Sequence, residues 1–216
     1  MTEIKKLIEQ DKFEEAEKLV LESKVSKKTQ EDNLLLFRLL YLQEKHQEAI
    51  HCGEALLLSG YEADANIYFM LGTSYSWLEQ YDEAISNLAK AIKLDPNNVS
   101  AHVNFGLTCL REGKYDKAIE AYEQAIKLRP NDALLHLNLG NAYASKEEYD
   151  QAIVAYKQSI KLKPDDADAH YNLNNVQQIN KWLKQNYPDY ANLSEEDKRA
   201  VRQQYNQEEY AEANKS

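Results

Sequence analysis

The chain is predicted to be all-α, a solenoid of stacked antiparallel helix pairs, and three observations predict it. His102, His136 and His170 stand 34 residues apart, each two residues before an asparagine, Asn104, Asn138 and Asn172. Pro96, Pro130 and Pro164 fall at the same interval. Only six Gly and four Pro interrupt a 216-residue chain that is 43% hydrophobic and 29% charged, leaving ample helix formers. A period of this length, carried by helix formers and punctuated by proline, marks helical hairpins that each bury an apolar stripe against the next. Such an array points to binding and away from catalysis.

Residues 1–64 read as two divergent helical repeats, around Phe13-Glu-Glu-Ala-Glu17 and His46-Gln-Glu-Ala-Ile50. Their spacings are 33 residues (Ala16 to Ala49) and 35 (Ala49 to Ala84), and neither ends in proline. The most apolar stretch, Asn33 to Leu42, contains Arg38 and is about half the length needed to cross a bilayer, so it reads as a buried helix. Residues 65–166 form three regular units, 65–98, 99–132 and 133–166. Each first helix carries a glycine near its middle (Gly72, Gly106, Gly140), where a second helix is expected to approach closely. The second helices open with Tyr81-Asp-Glu-Ala-Ile, Tyr115-Asp-Lys-Ala-Ile and Tyr149-Asp-Gln-Ala-Ile, placing Ala84, Ala118 and Ala152 at the crossing. Ala91, Ala125 and Ser159 supply a further small contact. Each second helix stops before its proline, and Asn97, Asn131 and Asp165 are the expected caps of the helices that follow. Residues 167–187 read as a capping helix with Asn174 in the glycine slot, giving the array a polar end. Residues 188–216 read as a polar tail with one helix near 194–210, capped by Ser194. Its apolar stripe is thin, so weak docking or fraying is expected.

The run from the first-helix glycine through Tyr-Asp-x-Ala-Ile to the closing proline closely resembles the tetratricopeptide repeat family, at full strength over about 65–184. The resemblance implies a right-handed superhelix of about twelve helices in one continuous domain, with first helices lining a concave wall that grips partner peptides. Carried over residue by residue, that wall holds Asn66, Phe69, Met70, Thr73 and Trp77; then Ser100, Val103, Asn104, Leu107 and Arg111; then Leu134, Leu137, Asn138, Asn141 and Ser145; then Asp168, Tyr171, Asn172 and Asn175. Almost none of these is charged.

An amide-lined groove suits a peptide read through its backbone, because one Asn side chain offers a donor and an acceptor that match a peptide group. Packed helices lie about 8 to 10 Å apart and an extended chain advances roughly 3.3 Å per residue, so successive asparagines would meet about every third ligand residue. Asn104, Asn138 and Asn172 are therefore a candidate ladder, with Asn141 and Asn175 beside it and Phe69, Leu107, Leu137 and Tyr171 as candidate apolar pockets. The competing reading is duplication, with each amide solvated or bonded to a neighbouring helix.

The family's two-carboxylate clamp for acidic chaperone tails needs Lys and Arg across three first helices. Here those slots hold Asn66 and Met70, Ser100 and Asn104, and Leu134 and Asn138, against a co-chaperone of that type. The histidines, each about a helix diameter from the next, are too far apart to share one metal and read as packing residues. No nucleophile–base motif, glycine-rich phosphate loop or Cys/His pairing appears, so neither an enzyme nor a cofactor is expected. A net charge of −10 disfavours nucleic acid as a partner. Cys52 and Cys109 read as small apolar residues of a reducing compartment. The amino terminus alternates charge with apolar residues, unlike a secretory signal, so cytoplasmic residence without membrane insertion is expected. The expected function is a non-catalytic scaffold that binds a protein or peptide. A co-chaperone or an assembly or secretion chaperone for a specific client is an alternative, as is a self-assembling scaffold, which either stacks end to end as a weak homo-oligomer or folds its last helix into its own groove as a placeholder.

Overall fold

The structure is a computed structural model that describes residues 7, 10, 12–22, 30–62 and 64–213. Residues 1–6, 8, 9, 11, 23–29 and 63, and what was expected of them, lie outside the described residues. Contacts gather the chain into two compact units, Met1–Pro130 and Asn131–Ser216. The 34-residue register runs through that boundary without interruption. In a repeat array each hairpin contacts only its neighbours, so a division naturally falls in a turn between hairpins.

The first unit contains α1 (Phe13–Glu22), α2 (Gln30–Leu42), α3 (His46–Leu58), α4 (Ala65–Trp77), α5 (Tyr81–Leu94), α6 (Val99–Arg111) and α7 (Tyr115–Leu128). The second contains α8 (Ala133–Ser145), α9 (Tyr149–Leu162), α10 (Ala167–Asn186), a 3-10 turn at Tyr190–Asn192, and α11 (Glu195–Ala213). Eleven α-helices and no strand occur among the described residues. Helices pair as α2/α3, α4/α5, α6/α7 and α8/α9, each an antiparallel hairpin. The divergent amino-terminal repeats bury Ala16, Phe37, Leu39, Ala49 and Leu56 in one cluster with Ile67 and Leu71 of the first regular repeat.

The glycine slot works by exclusion of volume. A Cβ on Gly72 would stand 2.6 Å from Leu88 Cγ and 2.9 Å from its backbone nitrogen; on Gly106 it would stand 2.9 Å from the Tyr122 ring, and on Gly140 2.5 Å from the Tyr156 ring. Ala84, Ala118 and Ala152 are fully buried, as are Ala91 and Ala125. Ser159 takes the same slot as those last two, and its hydroxyl donates to the Ala133 carbonyl at 2.8 Å, so a polar atom is buried there with its bond made.

The helix caps fall one residue later than expected. Asp64, Asn98, Asp132 and Asp166 accept from the backbone N–H groups of Ile67, Ala101, Leu134 and Ala169 at 3.0 to 3.1 Å. Asn97 instead donates its own N–H to Asp95 in an Asx turn that carries the chain round the proline. Within the hairpins the connecting turn requires a positive φ at one slot, met by Gly113 (φ 76) but also by Glu79 (φ 60) and Glu147 (φ 66).

His102 and His170 fasten the turns that precede their helices. His102 Nε2 lies 2.9 Å from the Pro96 carbonyl and His170 Nε2 2.8 Å from the Pro164 carbonyl. A carbonyl only accepts, so Nε2 carries the proton in both. His102 is also buried, whereas His170 is exposed, which removes a packing role from the latter.

The tail departs from the expectation of weak docking. Leu183, Tyr190 and Val201 are buried together, with Tyr149, Ile179, Trp182, Tyr187 and Leu193 packed on them. The Trp182 ring meets the edge of Tyr205 at 5.2 Å. The Tyr190 hydroxyl donates to Glu147 at 2.8 Å, and Arg202 pairs with the same carboxylate. The thin stripe suffices because α10 runs 20 residues and offers its own aromatic side chains as a seat. Ser194 caps α11 as expected, accepting from Asp197 N–H at 3.1 Å.

Candidate peptide-binding site

In the first unit, α4 contributes Thr73, Ser76 and Trp77, and α6 contributes Asn104, Leu107 and Arg111, to one recess of about 130 Å³. The spacing of three and four residues along each helix puts these side chains on one face. Its polar floor is internally bonded. Asn104 Nδ2 donates to Thr73 Oγ1 at 3.0 Å. Thr108 donates its single proton to the Asn104 carbonyl at 2.7 Å, so in the 2.9 Å contact with Ser76 the serine is the donor. The carbonyl that accepts from Thr108 is the main-chain one, so the Asn104 side chain keeps its second N–H and its Oδ1, neither bonded to a described residue.

The apolar walls are Leu107 and Trp77. Trp77 is 62% exposed and lies flat on His46, ring centroids 5.6 Å apart and planes at 5°. Burial lowers the His46 pKa below its ordinary value, with Glu44 opposing, so the imidazole under the tryptophan is neutral near pH 7. Arg111 is exposed, and no described residue forms an ion pair with it. The adjacent carboxylate, Glu112, is taken by Lys114 at 2.9 Å, and Lys114 also reaches Asp82 at 3.1 Å. Phe69 packs on the core cluster of this unit, half-buried, and does not line the recess.

In the second unit the amides gather around Asn141. Its Oδ1 accepts from the Tyr156 hydroxyl at 2.8 Å and from Asn172 Nδ2 at 3.1 Å. Asn138 is half-buried and makes no side-chain hydrogen bond with a described residue. Asn175 is exposed, and Tyr171 is 70% exposed, so the docked tail does not cover this face. Leu137 corrects the sequence reading: it is only 7% exposed and packs with Ala152, Tyr156, Ala169 and Val176. An apolar side chain at that slot gains more by entering the core than by lining a wall. Met70, in the first unit, turns into the core for the same reason.

Asn104 and Asn172 thus both donate to a residue 31 positions earlier, Thr73 and Asn141. The position 31 residues before Asn138 is Leu107, which has no acceptor. Sequence reasoning found these asparagines but missed this pairing, and it missed Ser76 in the lining and Thr108 bonded behind it. The signal was present as a polar residue 31 places before two of the three asparagines.

Burial pushes the Cys109 thiol up to about 11, and among the described residues no group of His, Cys, Asp or Glu is arranged to hold a metal ion. No helix among the described residues is long and apolar enough to cross a membrane.

The TPR repeat profile matches residues 106–146 and 140–179, and the profile of subunit 3 of the anaphase-promoting complex, or cyclosome, matches residues 43–125. The chain belongs to the tetratricopeptide repeat family. A search of curated protein sequences gave no match. Among solved structures this TPR chain is similar to YrrB, described as a TPR protein with an unusual peptide-binding site: 26% identity over 78% of this chain and 87% of that one, TM-score 0.69. It is also similar to MamA, at 26% identity over 75% and 95% of the two chains, TM-score 0.65. The first TPR of Spaghetti (RPAP3), solved with the HSP90 peptide SRMEEVD, shares the fold at 23% identity over 54% and 92%, TM-score 0.51. The TPR fold and these neighbours mark the chain as a protein–protein interaction module.

Proposed function

We propose that this TPR chain is a non-catalytic scaffold that binds an extended peptide of a partner protein along its first-helix faces. The observation that carries the reading is Asn104: half-buried, fixed in orientation by Thr73, and left with one N–H and one carbonyl oxygen inside a recess walled by Leu107 and Trp77. A side chain held before the ligand arrives loses little freedom on binding, so its two remaining bonds are delivered nearly in full. Asn138, Asn175 and Tyr171 present the same kind of surface in the second unit. Each neutral bond is worth on the order of 1 kcal/mol net, so the apolar walls must supply much of the affinity. The peptide-binding description of YrrB supports the reading, and the net charge of −10 sets it against nucleic acid.

The test is selection of binders from a displayed library of random dodecapeptides on the full chain, followed by anisotropy titrations. Asn104→Ala is expected to weaken selected peptides about five- to tenfold, with a small drop in melting temperature from the lost Thr73 bond. Absence of any selected peptide, or affinities that ignore Asn104, Asn138 and Leu107 substitutions alike, would overturn the proposal.

A further inference from the structure

We infer that the recess between α4 and α6 reads one internal acidic side chain of the bound peptide. This rests on the peptide-binding reading and adds the chemical class of the anchor. The carboxylate meets the Arg111 guanidinium and the spare N–H of Asn104, while the aliphatic stem lies on Leu107 and Trp77.

Three observations support the choice of an acid. Among the described residues that line the recess, Arg111 is the only charged one, and none carries a carboxylate. No described residue forms an ion pair with Arg111, and its sequence neighbour Glu112 is itself paired with Lys114, so the guanidinium is left uncompensated among the described residues. In a chain with net charge −10 such a cation is a local exception, and a peptide acid is the group that complements it. The size agrees as well: about 130 Å³ is roughly the share of four waters, enough for one side chain and too little for a base with its sugar. The donors match too, since a guanidinium presents a planar fork to a carboxylate and the amide N–H adds a third bond. This differs from a two-carboxylate clamp, whose cation slots here hold Asn66, Met70, Ser100, Asn104, Leu134 and Asn138, none of them a cation. One cation and one amide suit one carboxylate.

The experiment uses the full chain and peptides acetylated at the amino end and amidated at the carboxyl end. Selection on wild type is expected to enrich an internal Glu or Asp, and selection on Arg111→Glu to enrich Lys or Arg at that place. For one selected peptide, replacing its acid by the corresponding amide should weaken binding to wild type at least about tenfold, and to Arg111→Met less than about twofold, a coupling that a merely structural Arg111 would not show. Binding should also weaken with added salt. Because Arg111 is exposed, the variants should melt with wild type, which separates lost recognition from lost folding. If peptides are selected without acidic enrichment, or lose equal affinity in both backgrounds, the inference fails and the peptide-binding reading stands. If no peptide is selected at all, both fail.

Discussion

Two tyrosines in the same slot show how single residues set the energetics of this repeat. Tyr156 and Tyr122 each lie against the glycine of their own hairpin, and both are almost wholly buried. Tyr156 donates its hydroxyl to Asn141, whereas the Tyr122 hydroxyl is buried with no hydrogen-bond partner among the described residues. The cause is one position, since Leu107 stands where Asn141 stands one repeat later. Losing a made bond costs about 1 kcal/mol, while removing an unsatisfied hydroxyl removes its desolvation penalty. Tyr156→Phe is therefore expected to lower unfolding free energy by about 1 kcal/mol, and Tyr122→Phe to leave it unchanged or raise it. Urea titrations of the two variants decide this, and equal losses would refute it. The asparagines were legible in the sequence as a repeating residue type. Their partners were not, because a hydrogen bond to a residue 31 places away depends on which side chain the neighbouring hairpin delivers.

At the scale of the helix, the close approach of α4 and α5 is set by the absence of a side chain at Gly72. Alanine there would improve helix propensity by about 1 kcal/mol. Its Cβ, however, would meet the Leu88 backbone nitrogen at 2.9 Å and the Ala84 carbonyl oxygen at 3.0 Å, and backbone cannot swing aside as a side chain does. Overpacking of this kind costs about 1 to 3 kcal/mol. Gly72→Ala is thus expected to lower stability by about 1 kcal/mol or more, and a rise in melting temperature would contradict the crossing. The glycine slots, the alanine slots and the proline stops were all readable, because each is a local rule of volume or dihedral angle. Cap positions were readable only to within one residue, since an Asx turn and an N-cap compete for neighbouring Asn and Asp residues. The docking of α11 was not readable: a stripe of few apolar residues looks weak until Trp182 and Leu183 of α10, with Tyr187 just after its end, are seen packed beneath it.

For the molecule as a whole, fifteen tyrosines make the alkaline limit informative. Burial raises the phenol pKa of Tyr41, Tyr75, Tyr122 and Tyr149, and pushes Tyr156 and Tyr190 up to about 12. A raised folded-state value means the unfolded chain loses these protons first. Their contribution is complete below about pH 10 and is lost as the pH climbs toward about 12. Helical circular dichroism should therefore collapse in that interval together with the rise of tyrosinate absorbance, and helicity that persists while all the tyrosines ionise would contradict their burial. The amino-acid order alone determined the all-α class, the 34-residue hairpin, the family and the breaker positions, because those follow from periodicity and near-neighbour sterics. Tertiary structure alone decided that Leu137 and Met70 enter the core, that Asn104 and Asn172 each spend one donor internally, and that Arg111 is left without a counter-charge among the described residues, because each outcome depends on side chains brought together from separate helices.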